Sequence, residues 1–432
     1  MQNVSVKTAV AASDPEANYT GPLAIVTSLF FMWGFLTCLN DILVPHLKSI
    51  FDLSYARVML IQFAFFGAYF IFSIPSAKII DWIGYQRSMV LGLLMMGLGA
   101  FLFVPAASVP SYPLFLGALI VLAAGITCLQ VAANPYVTVL GRPQTASSRL
   151  NLTQAFNSLG TFLAPFFGGL LILSAAPKAM EDIRAMAPDA LQAYRLHEAA
   201  TVKTPYVGLG IALVVLAIAI GSFKLPKIEH AQHKVGEKVD DSIWNHPNLI
   251  FGAISIFVYV GAEVSIGSFL VNYFSQPDIG GLTEKVAASF VAFYWGGAMV
   301  GRFIGSGLLQ KVKTGPLLGI CAICAAGLVA ISMLTTGHFA MWSIIFVGFF
   351  NSIMFPSIFT LGVAELGPLT GDGSGVMIMA IVGGAIIPLA QGWIADKIGI
   401  HHAFFLPVIC YLYILFFALS GSKPNSERRA KA

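Results

Sequence analysis

Several polar side chains stand inside long apolar stretches of this chain: the acids Asp41 and Glu263, and the amides Gln130, Asn134, Gln154, Asn157 and Asn351. A carboxyl group in such surroundings takes up or releases a proton as access changes, because desolvation favours the neutral acid and water or a cation the ionised one. An amide donates and accepts at once, which matches the hydroxyls of a neutral polyol. The spacing groups these residues. Trp33 and Thr37 fall eight and four residues before Asp41, on one helical face, with Asn40 adjacent. Gln130 and Asn134 are four apart and Gln154 and Asn157 three apart, so each pair shares a face. Glu263 follows Tyr259 by four residues, and its type leaves three roles open: a second coupling acid, a sodium ligand, or an acceptor for a sugar hydroxyl. Trp33, Trp295 and Phe355 offer rings to the apolar face of a sugar or to packing between helices. The chemistry expected is reversible binding of a polar solute and a cation. No Ser–His arrangement and no His/Cys/Asp cluster at metal-ligand spacing is visible, so neither an enzyme nor a cofactor beyond a coupling ion, H+ or Na+, is expected.

Such residues need a scaffold that holds them away from lipid, and composition says which. The chain has 432 residues, 57% hydrophobic and 10% charged, with a mean hydropathy of +0.82. A soluble domain carries about a quarter charged residues, and a bilayer span takes about 20 apolar ones. The class is therefore an all-α polytopic membrane protein. Apolar runs predict twelve spans, near 22–46, 58–79, 88–107, 112–139, 150–174, 205–223, 247–274, 286–309, 315–335, 340–365, 374–395 and 402–420. Residues 175–204 are polar and alanine-rich and suit a short surface helix, and the polar linker 224–246 divides the chain near its middle. His230 and His233 in that linker read as solvated loop residues. All five cysteines lie in apolar runs and read as small core residues. Residues 1–20 lack the pattern of a cleaved signal peptide. No basic aromatic patch points to nucleic acid.

The spans repeat. Span 4 ends Pro135-Tyr-Val-Thr-Val-Leu-Gly141 and span 10 ends Pro356-Ser-Ile-Phe-Thr-Leu-Gly362. Gly160 and Pro165 of span 5 match Gly383 and Pro388 of span 11, and Gly67 and Ala77 of span 2 match Gly297 and Gly307 of span 8. This predicts two six-helix halves, 1–223 and 247–432, joined by the linker. Gln130 and Asn351 each lie five residues before their proline, so the repeat puts two amides at equivalent places. Spans 3, 6, 9 and 12 carry no charge and no Asn or Gln, and are expected to face lipid. The acids and amides of spans 1, 4, 5, 7 and 10 are expected to face a water-filled interior. With both termini inside, the inner side collects 16 Lys and Arg and the outer side 8, counting Arg302 among the inner loop charges. An aqueous path between two halves, with no ATP-binding loop, describes a secondary transporter.

Three stretches carry a family resemblance: Phe30-Phe-Met-Trp-Gly-Phe-Leu-Thr-Cys-Leu-Asn-Asp-Ile-Leu-Val-Pro45, Leu129-Gln-Val-Ala-Ala-Asn-Pro-Tyr-Val-Thr-Val-Leu-Gly141 and Arg149-Leu-Asn-Leu-Thr-Gln-Ala-Phe-Asn-Ser-Leu-Gly160. They resemble the fucose:proton symporter family of the major facilitator superfamily, and most of all its glucose/galactose transporter branch. The resemblance implies spans 1, 4, 7 and 10 around a central cavity and proton-driven sugar uptake. One departure matters: the family's fucose symporters carry a glutamate in span 4 where this chain has Gln130, which cannot carry a proton. The loop after span 2 keeps only part of the superfamily pattern, with Asp81, Gly84 and Arg87, and suggests an inner gate built on Asp81 and Arg87. Glu365, Asp372 and Asp396 sit near span ends and are expected to be solvated. The expected protein is a monomeric hexose:cation symporter of the inner membrane. Asp41 couples the cation, and Gln130, Asn134, Gln154, Asn157, Asn351, Trp33, Asn40 and Glu263 meet the sugar. The ion is a proton or sodium, and the sugar a neutral hexose such as glucose or galactose, with N-acetylhexosamine, mannose, fructose and fucose as alternatives. A multidrug exporter is the competing class, and a greasier cavity with fewer amides would mark it.

Overall fold

The structure, a computed structural model, describes residues 19–51, 55–109, 111–171, 186–201, 203–227 and 241–426. The spans are Thr20–Phe51, Tyr55–Ile83, Tyr85–Ser108, Tyr112–Val139, Ala146–Leu171 and Lys203–Ser222, then Pro247–Phe274, Glu284–Leu308, Thr314–Leu334, Gly337–Gly362, Gly367–Ile398 and Ile400–Gly421. No strand occurs among the described residues. Most helices outrun the apolar runs that predict them. Span 1 is 32 residues long, about 48 Å at 1.5 Å per residue, whereas hydrocarbon needs only about 30 Å. Hydropathy marks where lipid ends, but the backbone ladder continues into the headgroup layer. The surface helix expected between spans 5 and 6 is Pro188–Thr201. Most of the linker, residues 228–240, lies outside the described residues.

Burial follows the polarity of the spans. Leu94 and Leu98 of span 3, Ile211 and Ile218 of span 6, Ile320 and Ile323 of span 9, and Ile409 and Leu412 of span 12 are exposed apolar side chains, as a lipid-facing set requires. Spans 4 and 10 are largely enclosed. Glycines explain how closely the inner helices approach. A methyl group at Gly160 of span 5 would collide with the Phe31 carbonyl oxygen of span 1, and one at Gly383 of span 11 with the Phe257 carbonyl oxygen of span 7. The same backbone-on-backbone contact thus recurs at the repeat positions read from the sequence. Overpacking of this kind costs about 1–3 kcal/mol, so Gly160→Ala and Gly383→Ala should each lower the unfolding temperature of the purified protein. An unchanged transition in both variants would mean that the backbones are not in contact.

The repeat prolines act through the carbonyls they release. Pro135 has no N–H for the Val131 carbonyl, and Pro356 none for that of Ser352. Ser374 Oγ donates to the first at 2.8 Å, and Arg302 Nε to the second at 3.3 Å. Span 10 also breaks at Ser352–Ile353, between Gly337–Asn351 and Met354–Gly362.

The halves meet along a polar seam. Ser147 Oγ lies 2.6 Å from Thr360 Oγ1, Ser148 Oγ donates to the Ser306 carbonyl at 2.7 Å, and Asn151 Nδ2 donates to the Arg302 carbonyl at 2.7 Å. Thr314 Oγ1 donates to Ser147 Oγ at 2.9 Å, and Lys78 Nζ lies 2.7 Å from Asp372 Oδ1. These bonds gather at the end of the bundle where Tyr19 packs on Gly141 and Asn425 donates to the Asn245 carbonyl, the end that holds the first and last described residues and the described flanks of the linker. Nearer the middle, the Phe156 and Phe303 rings meet edge-on across the seam at 5.9 Å.

Candidate functional site

Each half of the chain holds one amide–tyrosine pair. In the N-terminal half, Gln130 of span 4 donates from Nε2 to the hydroxyl of Tyr69 in span 2 at 2.6 Å, and Trp33 of span 1 bonds the same hydroxyl. In the C-terminal half, Asn351 of span 10 donates from Nδ2 to the hydroxyl of Tyr294 in span 8 at 2.9 Å. The helix pairs are equivalent under the repeat, span 4 with span 2 and span 10 with span 8. Each amide keeps a carbonyl oxygen, Gln130 Oε1 and Asn351 Oδ1, that is buried and has no partner among the described residues. A buried acceptor left unpaired costs about 1–3 kcal/mol, so each is a position where a ligand hydroxyl or an ordered water belongs.

Asn134 and Gln154 approach without closing. Gln154 Nε2 is 3.5 Å from Asn134 Oδ1, at the outer limit of a hydrogen bond, and Asn134 Nδ2 has no partner among the described residues. Both side chains are buried. Asn157 is half-buried, and its amide nitrogen is committed to the Phe30 carbonyl of span 1 at 2.9 Å, next to a Thr161 hydroxyl contact with the Gly34 carbonyl. Its side chain therefore ties span 5 to span 1 while its surface stays accessible.

Glu263 is half-buried on span 7. The Tyr259 hydroxyl donates to Glu263 Oε1 at 2.8 Å and lies 3.1 Å from the Asn351 backbone carbonyl oxygen. The Tyr294 hydroxyl donates to the Glu263 backbone carbonyl at 3.4 Å. Glu263, Tyr259, Asn351 and Tyr294 therefore form one network in the C-terminal half, and the charge of Arg302 acts on it. Arg302 also crosses the seam, donating from Nη1 to the Gln154 carbonyl at 3.4 Å and to Ser158 Oγ.

Span 1 contains Asn40 and Asp41, but their side chains and that of Thr37 lie outside the described residues. The two residues expected to form an inner gate are not brought together. Asp81 lies 3.7 Å from Lys78, whose ammonium also holds Asp372 of span 11. Arg87 is exposed and lines a separate pocket with Gln86. Two expectations are corrected. Asp372 is not a solvated end residue, because Lys78 reaches it across the seam. Arg302 is not an inner-loop charge, because its guanidinium is half-buried between the halves. Glu365 and Asp396 are exposed as expected, Glu365 accepting a hydrogen bond from Ser426 Oγ at 2.6 Å. Sequence reasoning missed Tyr69, Tyr294 and Arg302. A charged residue well inside span 8 and tyrosines inside spans 2 and 8 were the available signals.

A family model described as the Major Facilitator Superfamily matches residues 24–381. The chain is 54% identical over 408 residues to a glucose/galactose transporter of Brucella abortus, a match covering 94% of this chain and 96% of the relative. It is 36% identical over 430 residues to the L-fucose-proton symporter of Escherichia coli, covering 97% of this chain and 98% of the relative. The crystal structure of a Major Facilitator Superfamily transporter, FucP, in the outward conformation superposes with a TM-score of 0.85 at 34% identity. That match covers 94% of this chain and 99% of the solved one.

Proposed function

The chain belongs to the Major Facilitator Superfamily, and from that premise we propose that it is a sugar:proton symporter taking up a neutral hexose of the glucose/galactose kind by alternating access. The observation that carries the reading is the pair of orphaned amide oxygens, Gln130 Oε1 and Asn351 Oδ1, set on opposite halves. A hexose presents hydroxyls on opposite edges of its ring, and one from each edge satisfies one oxygen. Binding then links the halves through the solute. The half-buried Trp33, Asn157 and Glu263 form the more accessible layer that an entering sugar meets first, and Trp33 supplies a ring for its apolar face. Five amides and several tyrosine hydroxyls favour a polyol over the greasy cargo of a multidrug exporter.

Orientation follows the Lys and Arg excess. Even without Lys78, which is ion-paired, and Arg149 and Arg302, which are half-buried, the excess keeps its sign, so the linker end is cytoplasmic. The seam then closes the inner side and leaves the site served from outside, in keeping with the outward conformation of the FucP structure. The protein works as a monomer in the inner membrane, and its only cofactor is the coupling ion.

Counterflow of labelled sugars into proteoliposomes tests the assignment. Glucose or galactose should exchange and a lipophilic cation should not. A neutral hydrogen bond is worth about 0.5–1.5 kcal/mol net, so Gln130→Ala should weaken sugar affinity roughly 2- to 13-fold. Asn157→Ala should lose affinity within the same range and also loosen span 5 from span 1, lowering the unfolding temperature. Unchanged sugar affinity in both variants would remove these residues from the site.

A further inference from the structure

Away from the central site, the start of span 3 and the end of span 6 enclose a pocket of about 570 Å³. Three cations line it, Arg87, Lys224 and Lys227, and among the described residues no carboxylate does. All three are exposed, and among the described residues none is paired with an acid. Asp81, the nearest acid in sequence to Arg87, is within 3.7 Å of Lys78.

The end of a helix ordinarily repels an anion, because its last carbonyls carry the negative end of the dipole. Here Gln86 cancels much of that repulsion. Its Nε2 donates to the Ile220 carbonyl at 2.8 Å and to the Phe223 carbonyl at 2.7 Å. What remains facing the pocket is positive. The surroundings distinguish a lipid from a free ion. Spans 3 and 6 belong to the lipid-facing set, and exposed Leu94 and Ile218 lead along them toward the pocket. Phe223, which lines it, is exposed, as aromatic side chains are at the headgroup layer.

We propose that this pocket seats the phosphate of an anionic phospholipid, with its acyl chains along the exposed faces of spans 3 and 6. The lipid joins span 3 to the first residues of the linker. It therefore anchors the N-terminal half in the cytoplasmic leaflet, independently of the sugar site; only the leaflet assignment rests on the orientation proposed above.

The test uses the full-length purified protein in mixed micelles of phosphatidylglycerol and phosphatidylcholine, with bound lipid counted by native mass spectrometry. The wild type should retain phosphatidylglycerol in preference to phosphatidylcholine. Each Lys→Gln change should weaken that retention about fivefold, since one cation near an anionic surface contributes about that factor. The Lys224→Gln/Lys227→Gln variant should therefore lose most of it, whereas Lys224→Arg/Lys227→Arg should keep it. Equal retention of the two lipids by the wild type, or undiminished phosphatidylglycerol on the double Gln variant, overturns the proposal. So does thermal stabilisation by inorganic phosphate alone that matches stabilisation by phosphatidylglycerol, because the pocket would then take a free anion. Sugar counterflow measured on the same samples keeps this result separate from the transport assignment.

Discussion

Asp41→Asn is expected to abolish uphill sugar accumulation while leaving counterflow intact. Counterflow moves sugar against labelled sugar and needs no net ion movement, and asparagine approximates a permanently protonated aspartate. The magnitude should be all-or-none, because a symporter without its exchangeable charge cannot draw on the gradient. With Gln130 where the family resemblance implies a glutamate, Asp41 is the acid that the sequence leaves within the apolar runs of the N-terminal half. A single acid suffices for a proton, whereas sodium prefers several oxygen ligands. The same proteoliposomes therefore decide the ion. Uptake should follow a pH gradient in the absence of sodium, and uptake driven only by sodium at equal pH would overturn proton coupling. If the Asn variant still concentrates sugar, the coupling group lies elsewhere, with Glu263 and its Tyr259 hydrogen bond the next to test.

Arg302→Met should slow counterflow about tenfold to a hundredfold. The guanidinium donates to Ser352, Gln154 and Ser158, and hydrogen bonds from a charged group contribute about 1.5–3 kcal/mol each. Methionine fills much of the volume but leaves the proline-released Ser352 carbonyl without a donor. Lysine should rescue poorly, because one ammonium cannot reproduce a planar fork. The variant should also loosen the seam. A Ser148→Cys probe should then react faster with a membrane-impermeant maleimide from the linker side in the Arg302→Met background. Counterflow within twofold of wild type and unchanged labelling would show that Arg302 holds neither the site nor the seam.

Which parts of this were readable in advance depends on the range of the interaction. Span positions follow from local hydropathy, so Tyr112–Val139 and Pro247–Phe274 coincide with the ranges expected. The repeat was legible because Gly160, Gly383, Pro135 and Pro356 do conformational work that few other residues can do. The Tyr259–Glu263 bond was also within reach, since four residues make one helical turn. Partners set by the rotation of one helix against another were not. Tyr69 meets Gln130 from 61 positions away, and Lys78 meets Asp372 from 294 positions away. Hydropathy counting therefore treated Asp372 and Arg302 as ordinary end-of-span charges. The amides of spans 4, 5 and 10 stood out by type, but which of them keep an unpaired oxygen depends on side-chain partners that only the packed bundle supplies.

The glycine contacts inside each half have a mechanical consequence. Where backbone lies against backbone, as at Gly160 on Phe31 and Gly383 on Phe257, the helices cannot slide without a clash, so each half turns as one stiff lever. The seam between them is made of hydroxyls, an amide, the Lys78–Asp372 ion pair and the Arg302 guanidinium, polar groups that can exchange their partners for water. The Phe156–Phe303 contact sits partway along it, where a fulcrum would lie. Two stiff levers sharing a fulcrum cannot open at both ends together. The gap at the linker end and the gap at the opposite end are therefore a single coordinate with opposite signs, and widening of one is read out, ångström for ångström scaled by arm length, as narrowing of the other.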